Sequence, residues 1–250
     1  MFHTKKHLMV GLVAILAVTS GSALAQAEHG FDYSYVEAQF LHTNFDTDEF
    51  TVTGAGTTGV FTDATSNGFG FEAAVGSHMI GETFAVYGIA DYMAFETDLG
   101  VAMTGVVSGN GMAPVEFSEL RLGAGMAYEV DPRAALFFEA GYLRTEAEFS
   151  GVNGLPGGTI GLQGLDLSGS GLDLRAGVRV MPVGNVELFG YVRHNPNGEV
   201  VNAGPASLEY DSELRYTFGG RYRFTDYVSA GAEYEFGEPG TARLSLRYSF

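Results

Sequence analysis

Three histidines, His42, His78 and His194, are the only ones placed where they could do acid–base or ligand chemistry, because His3, His7 and His29 lie at the amino end. A histidine base needs a carboxylate or hydroxyl within hydrogen-bond reach. Asp46 lies close to His42, and Glu199 lies close to His194. Cysteine is absent, which excludes thiolate metal sites, cysteine nucleophiles, disulfides and a lipidated cysteine anchor. G-x-S-x-G, H-E-x-x-H and G-x-x-x-x-G-K-[ST] are also missing, and the Gly154-Leu155-Pro156-Gly157-Gly158 stretch reads as loop backbone rather than a phosphate cradle. No cofactor or metal site is expected.

The remaining chemistry is ionic and has a period of two. Acids at Glu37, Glu72, Asp91, Glu119, Glu129, Glu139, Asp173, Glu187, Glu233 and Glu235 share one parity of their segments. Arg121, Arg175, Arg179, Arg193, Arg215, Arg221, Arg223, Arg243 and Arg247 share the same parity. The acids dominate the first half of the chain and the arginines the second, so pairing across an enclosed space is expected. Arginine suits such a space because its planar fork bridges carboxylates and keeps its proton. An unpaired charge there would be costly.

Strands must position these residues. Near the carboxyl end, Leu244, Leu246, Tyr248 and Phe250 alternate with Arg243, Ser245, Arg247 and Ser249. Val228, Ala230, Ala232, Tyr234 and Phe236 alternate with Ser229, Gly231, Glu233 and Glu235. This is the pattern of half-buried strands, each about the ten residues of a tilted membrane-crossing strand. Ten strands are predicted near 32–44, 67–79, 84–97, 115–130, 134–149, 170–181, 186–195, 207–224, 228–236 and 242–250. Eight or twelve are the alternatives, because Phe84 to Thr97 alternates poorly. Short turns near 80–82, 131–133, 182–184 and 225–227 alternate with long links near 45–66, 98–114, 150–169 and 196–206. Short turns on one side, long loops on the other, aromatic residues near strand ends and glycines on the polar face together indicate an all-β, transmembrane antiparallel up-and-down barrel.

The amino end carries Lys5 and Lys6, an apolar run from Leu8 to Val18, and Ala23-Leu24-Ala25. This is the order of a secretory signal peptide, with cleavage expected between Ala25 and Gln26 and the barrel domain over 26–250. Removing both lysines from 13 basic residues leaves 11 arginines against 30 acids, a net charge of −19. Nucleic acid is thereby excluded as a partner, since phosphate binding needs clustered Lys and Arg. The acids outside the ladder, such as Asp46, Asp48, Glu49, Asp63, Glu96, Asp98, Glu146, Glu148, Asp166, Glu199, Glu209, Asp211 and Glu213, fall at or near the long links. They read as a solvated acidic surface, with divalent-cation binding as the alternative.

Signal segment, alternating strands and the terminal Leu244-Ser245-Leu246-Arg247-Tyr248-Ser249-Phe250 resemble the small outer-membrane β-barrels of Gram-negative bacteria, the OmpA-like, OmpX-like and opacity-protein group. The resemblance implies an outer-membrane location, contact with lipid and lipopolysaccharide, and delivery by the barrel assembly machinery, for which the terminal alternation is the signal. Unlike an OmpA-like chain, this one ends at Phe250 with no peptidoglycan-binding domain, so anchoring to peptidoglycan is not expected. Rim histidines and acids also occur in omptin-type proteases, but their paired Asp-Asp and Asp-His motifs are not matched. Tyr191-Val192-Arg193-His194-Asn195-Pro196-Asn197 resembles the lipid A deacylase segment, with Pro196 where the nucleophilic serine should stand. The expectation is therefore a non-catalytic structural or surface-interaction protein with a charge-plugged lumen. A narrow pore for small ions or solutes is the second reading, and a rim hydrolase the third.

Overall fold

The computed structural model describes residues 31–45, 51–54, 57–62, 64–80, 83–105, 108–149, 153, 165–195, 200–203, 206–209, 214–237 and 240–250. Ten strands form the wall: β1 (Tyr35–Phe45), β4 (Ala64–Ile80), β5 (Phe84–Gly105), β6 (Gly109–Asp131), β7 (Ala134–Phe149), β8 (Leu165–Val183), β9 (Val186–His194), β12 (Leu214–Arg223), β13 (Val228–Phe236) and β14 (Gly240–Ser249). Each pairs antiparallel with the next in this order. β14 then pairs with β1, Tyr35 opposite Ser249 and Asn44 opposite Gly240, so the sheet closes and has no free edge in the barrel. Closure settles the strand number at ten.

Four short strands lie outside this ring. β2 (Thr51–Gly54) and β3 (Thr57–Thr62) form a hairpin whose second arm pairs with β5 from Gly100 to Gly105. β10 (Val200–Ala203) and β11 (Ala206–Glu209) form a separate two-stranded sheet, lying against β8 and β2.

The structure corrects several boundaries; β8 begins at Leu165, inside the expected 150–169 link, and β10 lies inside the expected 196–206 link. Residues 98–114, expected as a long link, are mostly strand: β5 and β6 pair from Asp98–Pro114 out to Met103–Gly109. At the end of β5, Gly105 has φ 132°, a conformation that only glycine adopts without strain. Extending the ladder pairs the backbone groups that β5 and β6 turn toward each other, which a glycine-rich link would leave to water. Residues 45–66 likewise contain β2, β3 and the start of β4. The strand expected over 207–224 is divided, because 206–209 pair with β10 whereas the barrel strand starts at Leu214.

Strand lengths are uneven. β5 and β6 have 22 and 23 residues, whereas β9, β12, β13 and β14 have 9 or 10. About ten residues cross a bilayer, so the β4–β8 side projects well beyond the apolar band at the loop end.

The burial pattern is inverted relative to a soluble domain. Phe69, Phe218 and Leu244 on the outer face are 66%, 61% and 59% exposed, while Arg121 and Asp173 inside are 0% exposed. An apolar surface encircling a closed barrel is the surface of a membrane-spanning protein, since contiguous patches of this kind are not left to water. Aromatic residues gather at both margins of the band. Tyr227 stacks on Tyr248, with ring centroids 6.2 Å apart, and Phe84 meets Tyr128 at the short-turn margin. Tyr234 meets Phe236 at 4.6 Å toward the loops, while Phe40 and Phe69, 5.9 Å apart, lie within the band at the level of Leu244.

The charged lumen as candidate functional site

Residues of one parity on all ten wall strands converge on the lumen, and their register sorts them by sign. Glu37, Glu72 and Asp91 oppose one another across β1, β4 and β5. Arg175, Arg193 and Arg215 do so across β8, β9 and β12. Like charges directly opposed on a wall repel. The long arginine arms relieve this by reaching over the lumen: Arg175 Nη2 lies 3.4 Å from Asp91, Arg193 Nη2 2.8 Å from Glu119, and Arg221 Nη2 3.0 Å from Glu37.

Two charge clusters result. In the cluster nearer the loops, Asp173 of β8 accepts from Arg121 Nε at 2.6 Å and from Arg193 Nε, with Arg175 Nε at 3.4 Å. Arg121 Nη2 also sits 2.9 Å from Glu139. This knot joins β5 through β9. In the cluster nearer the short turns, Glu37 accepts from Arg247 Nε at 2.6 Å and from Arg221, while Glu187 accepts from Arg179 Nε at 2.6 Å. Arg247 also lies 3.6 Å from Glu72 and covers the ring of Tyr35, whose hydroxyl donates to Glu72 at 2.5 Å. A third group on the wall couples Arg243 to Glu233 at 2.7 Å and to Glu235 at 3.3 Å, with Arg215 3.5 Å from Glu235.

Between the clusters lies a chamber of about 80 Å³, bordered by Gln39, Ile89, Asp91, Phe137, Phe189 and Tyr191 among others. At about 10–15 Å³ for each water, it has room for roughly five to eight. Arg221 Nε is buried without a hydrogen-bond partner, whereas Arg175 Nε and Glu139 Oε2 have only the ion-pair contacts to Asp173 and Arg121, and all three residues border it.

Small residues make the space for large ones. A Cβ on Gly125 would collide with the ring of Tyr87, whose hydroxyl donates to Glu139 at 2.9 Å. On Gly219 it would meet the Phe189 ring at 2.5 Å. The Arg221 guanidinium rests on that ring, 5.4 Å from its centroid.

The nineteen charged residues expected on the inward parity lie on the inner side of their strands. Twelve are buried, and Glu72, Asp91, Arg179, Arg215, Arg221, Arg223 and Glu233 are half-buried. Glu129 is joined by Tyr33, whose hydroxyl donates to it at 3.2 Å, and Arg223 pairs with Asp32 at 3.4 Å. Asp32, Tyr33, Tyr35, Tyr87 and Tyr191 were missed as partners, although the three last share the charged parity in the sequence. Only charge had been used to mark the inner face, and an inward tyrosine carries none.

The histidines do not converge. His42 faces outward and hydrogen-bonds Asn67 at 2.9 Å, and His194 is on the outer parity of β9, with three strands between it and β1 around the ring. The His78 side chain lies outside the described residues, as do Ala25, Gln26 and the acids Asp46, Asp48, Glu49, Asp63, Glu199, Asp211 and Glu213. Glu96, Asp98, Glu146 and Glu148, expected at or near the long links, lie on the outer parity of β5 and β7, where Glu96, Glu116 and Glu148 oppose one another in register. Among the described residues no group of three or more His, Asp or Glu side chains is arranged to hold a metal ion. Leu244, Leu246 and Tyr248 of the terminal strand face outward and Phe250 follows it, its amide donating to the Ser34 carbonyl at 3.1 Å.

No family model matches the sequence, and no curated protein is similar to it at the sequence level. The fold is similar to the translocator domain of the autotransporter NalP from Neisseria meningitidis, with a TM-score of 0.53 and 16% identity over 99% of this chain and 97% of that one. The chain has the fold of an outer-membrane β-barrel. More distant are OprG from Pseudomonas aeruginosa (TM-score 0.42, 12% identity, 88% and 98% of the two chains) and the attachment invasion locus protein Ail from Yersinia pestis (0.37, 14%, 87% and 97%).

Proposed function

We propose that the protein is a non-catalytic barrel of a bacterial outer membrane, with a structural or surface-interaction role and a lumen held shut by paired charges. The observation that carries this reading is the fully buried Asp173–Arg121 pair, from which ion pairs fan out to β5, β7 and β9. Barrels of about eight strands are filled by their own side chains, while open aqueous channels belong to barrels of sixteen or more. In this reading the cleaved signal segment ends at Ala25, the short turns face the periplasm, and the loops and projecting wall face outward. Lipopolysaccharide surrounds the outer half, and the alternation of Leu244, Leu246, Tyr248 and Phe250 presents the chain to the assembly machinery.

Planar-bilayer recording tests the closed lumen. The wild-type protein should show no stable unitary conductance, and Arg121→Ala with Arg193→Ala should introduce one. Steady conductance from the wild type would instead favour the second reading, a narrow pore, which the central chamber of about 80 Å³ supports. A rim hydrolase is disfavoured by the outward placement of His42 and His194. Hydrolysis of peptide or lipid A by the wild type, lost on replacing either histidine, would revive it.

A further inference from the structure

Phe31–Ser34 belongs to no strand, yet it is among the most enclosed stretches of the chain. Phe31 and Tyr33 are 3% and 6% exposed and turn into the barrel at the short-turn end. The wall there is cut back to receive them. Inward positions on four successive strands, β4 to β7, are alanine: Ala74, Ala85, Ala127 and Ala135, all buried in one cluster with the two rings. Farther along the lumen the inward positions of these same strands carry Glu72, Tyr87, Glu119 and Glu139. An alanine niche matched to two aromatic rings is a seat, since a wall meant to stand alone would fill its own interior.

The latches are polar and come from several strands. The Arg179 guanidinium lies over both rings, 4.9 Å from Phe31 and 5.6 Å from Tyr33, and reaches the Asp32 carbonyl at 3.5 Å. Arg223 holds the Asp32 carboxylate at 3.4 Å, and Tyr33 donates to Glu129 at 3.2 Å. These separations are at the long end of hydrogen bonding. Ser34 is fastened more firmly, its hydroxyl exchanging bonds of 3.0 and 3.1 Å with Gly76. The segment thus has a hinge fastened at Ser34 and a body held by ring packing, Tyr33 stacking on Tyr87 at 5.7 Å, and by polar contacts rather than by ladder bonds.

We propose that Phe31–Tyr33 is a releasable stopper that closes the short-turn mouth of the lumen and, on swinging out about Ser34, opens the central chamber to that side while the barrel stays folded. Local opening of a segment outside the ladder requires less free energy than global unfolding. The Asp173 knot lies beyond the chamber, so release admits water and small solutes from one side without creating a through-path. This inference rests on the geometry of the mouth and holds for either orientation of the barrel.

The absence of native cysteine makes the test direct. Cysteine introduced by Ala135→Cys lies in the niche, behind the stopper. Its modification by a small charged methanethiosulfonate would be timed on the folded full-length protein, with urea unfolding followed in parallel. Labelling should be slow yet faster than global unfolding, and Phe31→Ala with Tyr33→Ala should speed it by about tenfold or more. Asp32→Asn, which keeps both rings and removes the Arg223 pair, should speed it by a smaller factor and serves if the double variant does not fold. Equal rates with and without Asp32→Asn in folded protein, or labelling no faster than global unfolding, would overturn the proposal.

Discussion

Arg121 Nε and Asp173 Oδ1 stand 2.6 Å apart with both side chains wholly shielded from solvent, although β7 lies between their strands. Asp173 also faces Arg175 and Arg193, so one carboxylate is shared by three guanidinium groups. Deleting it takes one of two acidic partners from each, leaving Arg121 with Glu139, Arg175 with Asp91 and Arg193 with Glu119. Breaking a buried pair by removing one partner costs about 3–5 kcal/mol. Asp173→Asn should lose stability of that order in urea unfolding from detergent or bilayers, and an unfolding midpoint like that of the wild type would argue against a paired lumen.

Arg221 of β12 reaches Glu37 of β1 over two intervening strands. Arg221→Ala should lower the melting temperature. In a double-mutant cycle with Glu37→Gln the two changes should couple by about 1 kcal/mol or more, because they share one contact. Simple additivity would show that each charge is satisfied on its own side of the lumen.

Leu244 is 59% exposed at the middle of β14, where hydrocarbon is expected. Arginine placed there should cost about 2–4 kcal/mol of bilayer-embedded stability, falling toward zero for arginine at an interfacial position. A cost independent of depth would contradict the assignment of the outer face to lipid.

Gly125 and Tyr87 form a packing pair in the lumen. Gly125→Ala pushes the Tyr87 ring away from Glu139 and should cost about 1–3 kcal/mol by overpacking. The same substitution made with Tyr87→Ala should cost less. If Gly125→Ala is neutral in the presence of Tyr87, the ring has other room and the two residues are not a close-fitting pair.

Much of this fold was legible because a membrane barrel writes its environment into alternate residues. One side of each strand meets hydrocarbon and the other a confined polar interior, so Leu244, Leu246 and Tyr248 on one parity and Arg243 and Arg247 on the other declared their faces without any neighbour being known. Inward charge was legible for the same reason. The extension of β5 and β6 through 98–114 was not, because Gly100, Gly105, Gly109 and Gly111 carry no hydrophobic signal and the pairing energy lies in backbone bonds.

Sequence alone determined the class of the fold, the strand parity and the set of charges turned inward, since each follows from local alternation against two solvents. The tertiary structure decided which arginine meets which acid, that the ring closes at ten strands, and that Phe31 and Tyr33 seat in an alanine niche. Those outcomes depend on register and on arms that cross between strands distant in the chain, where a shift of one residue would turn each side chain to the opposite face.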